Sequence, residues 1–278
     1  MSVDLHLHTT ASDGRCTPRE LVDRASAAGV TVMAVTDHDT VAAVRETQAI
    51  GRGRGVEVIV GIEITAIDNG RDVHMLGYFL DVNDPGLDEF LRAQRAYRAD
   101  RVRAIGARLA ELGMPVDVQP LLGRAAQNTG ESIGRPLIAR LLIDAGYVAD
   151  SREAFDKWLA RGQPAFIPRA GASPEEVIGI IHRARGLASL AHPGLTQIDD
   201  RIEALRNAGL DAVEVFHSDH DALTVERYRR IARDLSLLVT GGSDFHGDPA
   251  HGFEPGSATL PDAEWQRLRG AAHHGLCG

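Results

Sequence analysis

Histidine and acidic residues recur where short apolar runs of this sequence end, and both residue types bind divalent metal ions. His6 and His8 are two positions apart, so on a β-strand both imidazoles project from the same face. Residues of the same kinds end the later runs. The set comprises His6, His8, Asp13, His38, Glu63, His74, His192, Asp244 and His246. Mixed imidazole and carboxylate ligands suit Mn²⁺, Fe²⁺ or Zn²⁺ better than Mg²⁺ or Ca²⁺.

The acidic members of this set need compensating charge if they lie together. Asp13, Glu63 and Asp244 would repel one another at a shared site, and their desolvation would oppose folding. Two or three divalent ions would neutralise them. We therefore expect a site that holds more than one metal ion.

Seven short β-type runs must position these residues. They cover residues 3–8, 31–36, 56–63, 73–79, 187–191, 212–216 and 237–240. Amphipathic helical stretches alternate with them, which is typical of βαβ units and a parallel sheet. The pattern predicts an α/β protein with a closed or nearly closed β/α barrel, and an open doubly wound sheet is the alternative. In a barrel the carboxyl ends of the strands meet at one mouth, where active sites are built.

Two helices have clear start signals, and a long interval interrupts the alternation. Thr17-Pro18-Arg19-Glu20 and Ser173-Pro174-Glu175-Glu176 each combine a capping box with proline at the first helical position. The interval between the fourth and fifth runs is too long for one crossover and predicts helices over 87–112, 136–145 and 151–161. We expect a barrel formed by residues 1–83 and 170–278, with residues 84–169 inserted as a helical substrate-recognition subdomain.

Composition narrows the class of protein. The chain has 278 residues, a net charge of −9 and 5% aromatic residues, which argues against binding long nucleic acid and against an aromatic base-stacking platform. Cys16 and Cys277 are too far apart in sequence for a metal-binding or disulfide motif. No signal-peptide pattern or apolar run of membrane-spanning length is visible. We expect a cytoplasmic protein, and the composition leaves its oligomeric state open.

The ordered motifs resemble those of the PHP (polymerase and histidinol phosphatase) superfamily. They are His6-x-His8, Asp13, Thr36-Asp37-His38, Gly61-Ile62-Glu63, Val73-His74, Ala191-His192-Pro193 and Asp244-x-His246. The resemblance implies a distorted (β/α)7 barrel and up to three metal ions. It would place the first ion on His6, His8, Glu63 and Asp244, the second on Glu63, His74 and His192, and the third on Asp13, His38 and His246. The carboxylate of Asp13 favours Mn²⁺ or Fe²⁺ over Zn²⁺ at the third position, and Mn²⁺ is our first expectation.

Three segments are similar to the members of that superfamily that hydrolyse nucleotide phosphates. They begin at Gly61, Gly134 and Gly162, and the last two lie in the expected insertion. The resemblance implies a phosphatase that removes the 3′-phosphate of nucleoside 3′,5′-bisphosphates, with a hydroxide held between two ions as the attacking group. A 5′→3′ exoribonuclease on short RNA and a histidinol phosphatase are the alternatives. Partners would thus be a small nucleotide or short RNA, and no membrane.

Other polar residues are candidates for binding substrate or transferring protons. Arg135 precedes a helix-starting proline and could hold a second phosphate near the positive helix terminus, and Arg169 lies where the insertion rejoins the barrel. Asp39 and His217 are candidates for protonating the leaving group, and His217 also for contacting substrate. Glu63 is expected to bridge two ions and so to be catalytic.

Three further classes of protein remain to be weighed against this one. A binuclear amidohydrolase bridged by a carboxylated lysine is excluded, because the only lysine, Lys157, lies in the expected helical insertion. A TatD-type nuclease would not need Asp244-x-His246. A metal-binding regulatory module without catalysis is the non-enzyme alternative, and the intact set of metal-binding residue types argues against it.

Overall fold

Seven strands form one sheet that curls into a nearly closed barrel, in a computed structural model that describes residues 1–127, 130–248 and 252–275, the last three by backbone alone. Cys277 therefore lies outside the described residues. The strands are β1 (Val3–Leu7), β2 (Val32–Val35), β3 (Glu57–Asp68), β4 (Arg71–Tyr78), β5 (Leu187–Leu190), β6 (Ala212–His217) and β7 (Leu238–Gly242). They follow one another in chain order around the sheet. The predicted α/β barrel is confirmed.

The two ends of the sheet approach each other where β1 meets β7. The amide of His8 donates to the carbonyl of Phe245 at 3.0 Å. Gly242 permits this approach, since a Cβ at that position would lie 2.3 Å from the amide nitrogen of His6. The closure brings His6 on β1, and His8 directly after it, beside β7.

The fourth strand corrects the expectation of a parallel sheet. β4 runs antiparallel to both β3 and β5, while the other neighbouring strands are parallel. Asn69 and Gly70, both at positive φ, form the tight turn that joins β3 to β4 without a helix. An Asn-Gly pair between apolar runs is a strong hairpin signal. Because β4 is reversed, His74 near its start reaches the same mouth as residues at the ends of the parallel strands.

Helices cover the outside of the barrel. They are α1 (Pro18–Ala27), α2 (Val44–Arg54), α7 (Pro174–Arg183), α8 (Pro193–Thr196), α9 (Asp199–Asn207), α10 (Ala222–Asp234) and α11 (Asp262–Gly275). The capping boxes predicted at Thr17 and Ser173 are both formed. Apolar residues of the strands and of α7, α9 and α10 make the main core. No helix among the described residues has the length and apolarity that a bilayer crossing requires.

Between β4 and α7 the chain forms a group of helices with a core of its own. They are α3 (Pro85–Glu111), α4 (Gln119–Ala126), α5 (Arg135–Asp144), α6 (Ser151–Ala154) and a π-helix (Phe155–Leu159). The sequence predictions missed α4. A second apolar cluster includes Ile105, Ile138 and Leu159, whereas Leu87 and Leu91 at the start of α3 pack into the barrel core. We infer that residues 84–169 form an inserted cap whose first turns are anchored on the barrel.

Candidate metal centre and adjoining pockets

Glu63 lies at the centre of a ring of imidazoles. It is buried in β3, and its Oε1 lies 2.8 Å from Nδ1 of His74 and 3.2 Å from Nε2 of His192. Its Oε2 lies 3.0 Å from Nδ1 of His38 and 3.3 Å from Nε2 of His8. The two oxygens thus face different groups of histidines, as a carboxylate that bridges two ions must.

Asp244 and Asp13 extend the cluster on either side of Glu63. Oδ1 of Asp244 lies 3.2 Å from Nε2 of both His6 and His8. Asp13 lies 3.3 Å from Nε2 of His246 and 3.5 Å from Nε2 of His38. The structure therefore brings together all of the residues predicted to hold metal.

Asp37 holds the loop that carries Asp13. Its carboxylate accepts hydrogen bonds from the amide and hydroxyl of Thr9, at 2.8 and 2.6 Å, and from the hydroxyl of Ser12 at 2.6 Å. All of these groups are buried. The loop after β1 is thereby fixed beside the cluster.

The chemistry of the donor atoms fits divalent metal ions. Eight buried atoms of the cluster have no hydrogen-bond partner among the described residues. These atoms are Nε2 of His6, both ring nitrogens of His8, Nδ1 of His38, His74 and His192, Oε2 of Glu63 and Oδ1 of Asp244. Uncompensated burial of so many polar atoms would be costly. Metal–ligand bonds of about 2.0–2.2 Å in tetrahedral geometry would place neighbouring ligand atoms about 3.3–3.6 Å apart. Oε2 of Glu63 lies 3.4 Å from Nε2 of His6 and 3.3 Å from Nε2 of His8.

Electrostatics in the cluster also favour added positive charge. Burial by itself would raise the pKa of Glu63, but His38 and His74 hold that pKa well below its ordinary value. Burial would lower the pKa of His8, yet the carboxylates of Asp244 and Glu63 raise it to about 10. The carboxylates thus remain ionised and attract cations.

Three residues that follow β2, β5 and β7 have strained backbone conformations. Asp39, His192 and Asp244 have φ values of 52°, 27° and 54°, in the region that non-glycine residues rarely adopt. Such conformations persist only where the surroundings enforce them, and they concentrate at functional sites. The chain turns sharply at these points and so directs side chains into the barrel mouth.

A pocket of about 200 Å³ adjoins the metal cluster under the cap. Asp13, His38 and His74 line its barrel side. Arginines line its cap side, and we call it the arginine pocket. They are Arg98, Arg101, Arg135 and Arg169.

One pair of these arginines is held by Asp39. The buried carboxylate lies 2.5 Å from Nε of Arg98 and 2.8 Å from Nη2 of Arg169. Burial alone would raise the pKa of Asp39, but the two guanidinium groups hold it well below its usual range. Nε of Arg169 is buried without a hydrogen-bond partner. Asp39 therefore remains ionised and orients two cations, which differs from the proton-donor role predicted for it.

The other pair is held by Asp72 on β4. Its Oδ2 lies 2.8 Å from Nη2 of Arg135 and 3.2 Å from Nη1 of Arg101. Burial and the charge of Arg135 lower the pKa of Arg101 to about 10, so its guanidinium is still cationic at neutral pH. Nη2 of Arg101 is buried and has no hydrogen-bond partner. The predicted phosphate-binding residues Arg135 and Arg169 thus lie together in a pocket that is rich in unsatisfied donors.

His217 is completely buried beneath Asp244. Its Nε2 lies 3.4 Å from Oδ2 of Asp244, and its Nδ1 accepts the amide proton of Asp219 at 3.1 Å. Both ring nitrogens are therefore directed at the protein itself. These contacts differ from the substrate contact and proton transfer that the sequence predicted for this residue.

Sequence reasoning missed several polar residues of the site. Gln94, Arg98 and Arg101 lie on the otherwise apolar inner side of α3, together with Val102 and Ile105. Polar residues at core-facing positions of a helix are the signal that would have identified them. Glu214, an acid within the apolar run of β6, carried the same kind of signal.

A larger cavity of about 470 Å³ opens on the outer side of the cluster. It shares Asp13, His38 and His74 with the arginine pocket, and Pro136 and Phe155 lie between the two. Its wall also includes Glu63, His192, Asp244 and His246. The metal cluster therefore borders two adjacent cavities.

The sequence of this chain matches a family profile and the sequences of characterised proteins. The PHP domain profile matches residues 4–116. The chain is 34% identical over 260 residues to the 3′,5′-nucleoside bisphosphate phosphatase of Chromobacterium violaceum, covering 92% of this chain and 90% of that one. It is 35% identical over 248 residues to a 5′-3′ exoribonuclease of Haemophilus influenzae, covering 87% and 89%.

Solved structures agree with these sequence matches. A Bifidobacterium adolescentis protein described as a candidate metal-dependent phosphoesterase superposes with a TM-score of 0.87 at 32% identity, covering 96% of this chain and 94% of that one. The fold thus continues past the profile match into the cap and the second half of the barrel. By sequence over nine-tenths of its length and by fold, this chain belongs to the PHP family.

Proposed function

We propose that this protein is a metal-dependent phosphatase that hydrolyses the 3′-phosphate of nucleoside 3′,5′-bisphosphates, such as 3′-phosphoadenosine 5′-phosphate. The observation that carries the proposal is the arginine pocket beside a cluster of metal-binding side chains. A phosphatase for simple monoesters needs a site for one phosphate. In this chain the arginine pocket would supply a second anion site beside the metal cluster.

The charge and size of the arginine pocket match a terminal phosphate. Four guanidinium groups face the carboxylates of Asp39 and Asp72 there, and the third carboxylate, Asp13, belongs to the metal-binding set. Once a bound metal ion neutralises Asp13, two formal positive charges are left for a phosphate dianion. Unsatisfied donors on Arg101 and Arg169 are available to phosphate oxygens. A volume of about 200 Å³ holds a phosphate but not a whole nucleotide. The nucleoside would then occupy the outer cavity beside Phe155.

The metal-binding residues would place the 3′-phosphate over the barrel mouth. Glu63, Asp244 and Asp13 with their histidines would hold two or three divalent ions, for which we propose Mn²⁺. Such ions, when bound, lower the pKa of water and stabilise negative charge on phosphate oxygens. Water attacks phosphorus of the 3′-phosphate, the bond from phosphorus to O3′ breaks, and O3′ leaves with a proton. The products are a nucleoside 5′-monophosphate and inorganic phosphate.

The same arrangement supports a second candidate, 5′→3′ exoribonuclease activity on short RNA. A 5′-terminal phosphate would again enter the arginine pocket, and the bond broken would again be the one to O3′ of the first nucleotide. The outer cavity, about 470 Å³ in volume and connected to the metal cluster, has room for part of the following nucleotide. Substrate length would then distinguish the two activities.

A panel of substrates tests the proposal directly. Protein loaded with Mn²⁺ is assayed with 3′-phosphoadenosine 5′-phosphate, 3′-AMP, histidinol phosphate, an aryl phosphate and 5′-phosphorylated or 5′-hydroxyl short RNA. We expect the bisphosphate to have a much higher kcat/KM than 3′-AMP, because only the bisphosphate fills the arginine pocket. Equal values for these two, or a preference for histidinol phosphate, would contradict the proposal. A preference for 5′-phosphorylated RNA over the bisphosphate would favour the exoribonuclease.

A further inference from the structure

Strand β6 places two polar side chains, Glu214 and His217, against the metal cluster. Residues three apart on a regular strand face opposite sides. In β6 the register shifts, since Glu214 pairs with Thr240 while His217 pairs with Gly242. The extra residue in this β-bulge turns both side chains inward, and bulges commonly redirect side chains in this way.

Glu214 uses both of its oxygens within the site. Oε1 lies 2.9 Å from Nδ1 of His6, and Oε2 accepts the backbone N–H of His192 at 2.7 Å. The side chain is completely buried. An ionised carboxylate only accepts hydrogen bonds, so His6 must carry its proton on Nδ1. When the ring is neutral, as a metal-binding histidine must be, its lone pair is then on Nε2, one of the unpartnered atoms, which faces Asp244 and Glu63.

The second contact of Glu214 supports a strained backbone. His192 has φ of 27°, and its amide is the group that Oε2 holds. Its imidazole lies against Glu63 in the metal cluster. One carboxylate therefore controls the tautomer of one histidine and the backbone position of another.

His217 orients the carboxylate of Asp244 by a contact with one of its two oxygens. Its Nδ1 accepts the amide proton of Asp219, so the ring proton must lie on Nε2, which faces Oδ2 of Asp244. This leaves Oδ1 of Asp244 free toward His6 and His8. The side chain of His217 is completely buried, like that of Glu214.

We propose that Glu214 and His217 are positioning residues of the metal centre, which fix the tautomer of His6, the backbone position of His192 and the orientation of the Asp244 carboxylate. The inference rests on the proposed metal centre. His6, Glu214 and His217 lie close enough to be considered a separate metal site. However, Nδ1 of His6 and Glu214 already have hydrogen-bond geometry, in contrast to the unpartnered atoms of the main cluster. Outer carboxylates commonly orient metal-binding histidines in this way.

Glu214→Gln tests the first residue by a change of nearly equal volume. Glutamine offers one acceptor oxygen where two donors must be satisfied, so either the His192 amide loses its partner or the side-chain NH₂ faces Nδ1 of His6. The second case moves the His6 proton to Nε2, where it blocks metal binding. We expect the Mn²⁺ dissociation constant, measured by equilibrium dialysis, to rise about 10- to 100-fold.

Ser189→Ala is the matched control for this substitution. Ser189 is completely buried on the neighbouring strand β5, and its hydroxyl bonds to that of Thr240. Its removal should lower the melting temperature of the metal-free protein without weakening Mn²⁺ binding. A merely structural role for Glu214 would produce that same pattern.

His217 is tested by a pair of variants. Glutamine at this position can present an N–H near the place of Nε2, whereas alanine cannot. We expect His217→Gln to retain most of the Mn²⁺ affinity and His217→Ala to lose it. If the Glu214 and His217 variants bind Mn²⁺ as tightly as wild type, the positioning role is wrong but the metal centre stands. If the wild-type protein binds no Mn²⁺, both the metal centre and the positioning role are wrong.

Discussion

Glu63 connects more of the cluster than any single histidine does, because its two oxygens meet His6, His8, His38, His74 and His192. Its place in the middle of β3 holds the carboxylate rigidly at the barrel mouth. Among the described residues, no other carboxylate of the cluster lies close to as many histidines.

We predict that Glu63→Gln abolishes stoichiometric Mn²⁺ binding, because glutamine lacks the charge and the second acceptor oxygen. Activity on the bisphosphate should fall by more than the roughly 10- to 100-fold that loss of an outer partner costs. Metal analysis and phosphate release measure the two effects. Glu57→Gln, an exposed change at the start of the same strand, is the control. Full activity in Glu63→Gln would refute the bridging role.

The arginine pocket leads to a second prediction at the residue scale. Arg101→Ala and Arg135→Ala each remove a donor for the second phosphate, and charge-assisted hydrogen bonds contribute about 1.5–3 kcal/mol. KM for the bisphosphate should therefore rise about 10- to 100-fold, while KM for an aryl phosphate changes little. Arg103→Ala, an exposed change on the same helix, should leave both unchanged. Equal effects on the two substrates would remove these arginines from substrate recognition.

At the scale of elements, we propose that the cap binds substrate and the barrel binds metal. Residues 84–169 contribute Arg98, Arg101, Arg135 and Arg169 to the arginine pocket, whereas every predicted metal-binding residue belongs to the barrel. Their separate apolar clusters imply that one can be weakened without the other.

Ile138→Ala, a cavity-forming change in the core of the cap, tests this division. Such substitutions cost about 2–5 kcal/mol. We expect faster amide hydrogen exchange in the cap helices and a higher KM for the bisphosphate, with Mn²⁺ affinity retained. Ile178→Ala in the barrel core is the matched change. Loss of Mn²⁺ binding in Ile138→Ala would show that cap and barrel form one cooperative unit.

A surface ion pair joins helix α7 to the start of β6. Nε2 of His182 lies 2.7 Å from Asp211, and this hydrogen bond raises the pKa of His182 above its ordinary value of 6.5. A raised pKa in the folded state adds stability that is complete below pH 6.5 and is lost as the pH rises through the folded-state pKa. His182→Gln should therefore flatten the pH dependence of the free energy of unfolding above pH 6.5, by less than about 1 kcal/mol. Urea titrations at several pH values measure this free energy. If it falls with pH as steeply in His182→Gln as in wild type, the ion pair is not the source of the pH dependence.

At the scale of the whole molecule, the metal centre connects the most distant parts of the chain. Its residues come from β1, from the loops after β1 and β2, from β3 and β4, and from the segments after β5 and β7. Metal binding should therefore stabilise the barrel as a whole.

We predict that Mn²⁺ raises the melting temperature of the metal-free protein. At a concentration 1,000 times the dissociation constant, binding adds about 4 kcal/mol, or about 8–16 °C for a chain of this size. Differential scanning calorimetry with and without a chelator measures the shift. Mg²⁺, which suits imidazole ligands poorly, should have a smaller effect. Equal stabilisation by Mg²⁺ would count against a histidine-rich centre.

Local patterns in the sequence were sufficient for the strands, the capped helices and the residues that gather at the barrel mouth. Strand periodicity and capping boxes depend on neighbouring residues, so Thr17 and Ser173 could be identified without tertiary information. The side-chain types at strand ends likewise indicated metal chemistry. The reversed β4 had a local signal too, at Asn69-Gly70, although the regular alternation of strands and helices concealed it.

Only the tertiary structure decided which side chains meet across long separations. Asp39 follows a strand like the metal-binding residues, but Arg98 and Arg169 reach it from the cap and hold it as an ion pair. His217 ends a strand as predicted, yet the bulge in β6 places it beneath Asp244. Residue type and spacing determine what a group can do. The role that such a side chain has in the folded protein depends on the residue that contacts it. That contact is set by packing between segments far apart in the chain.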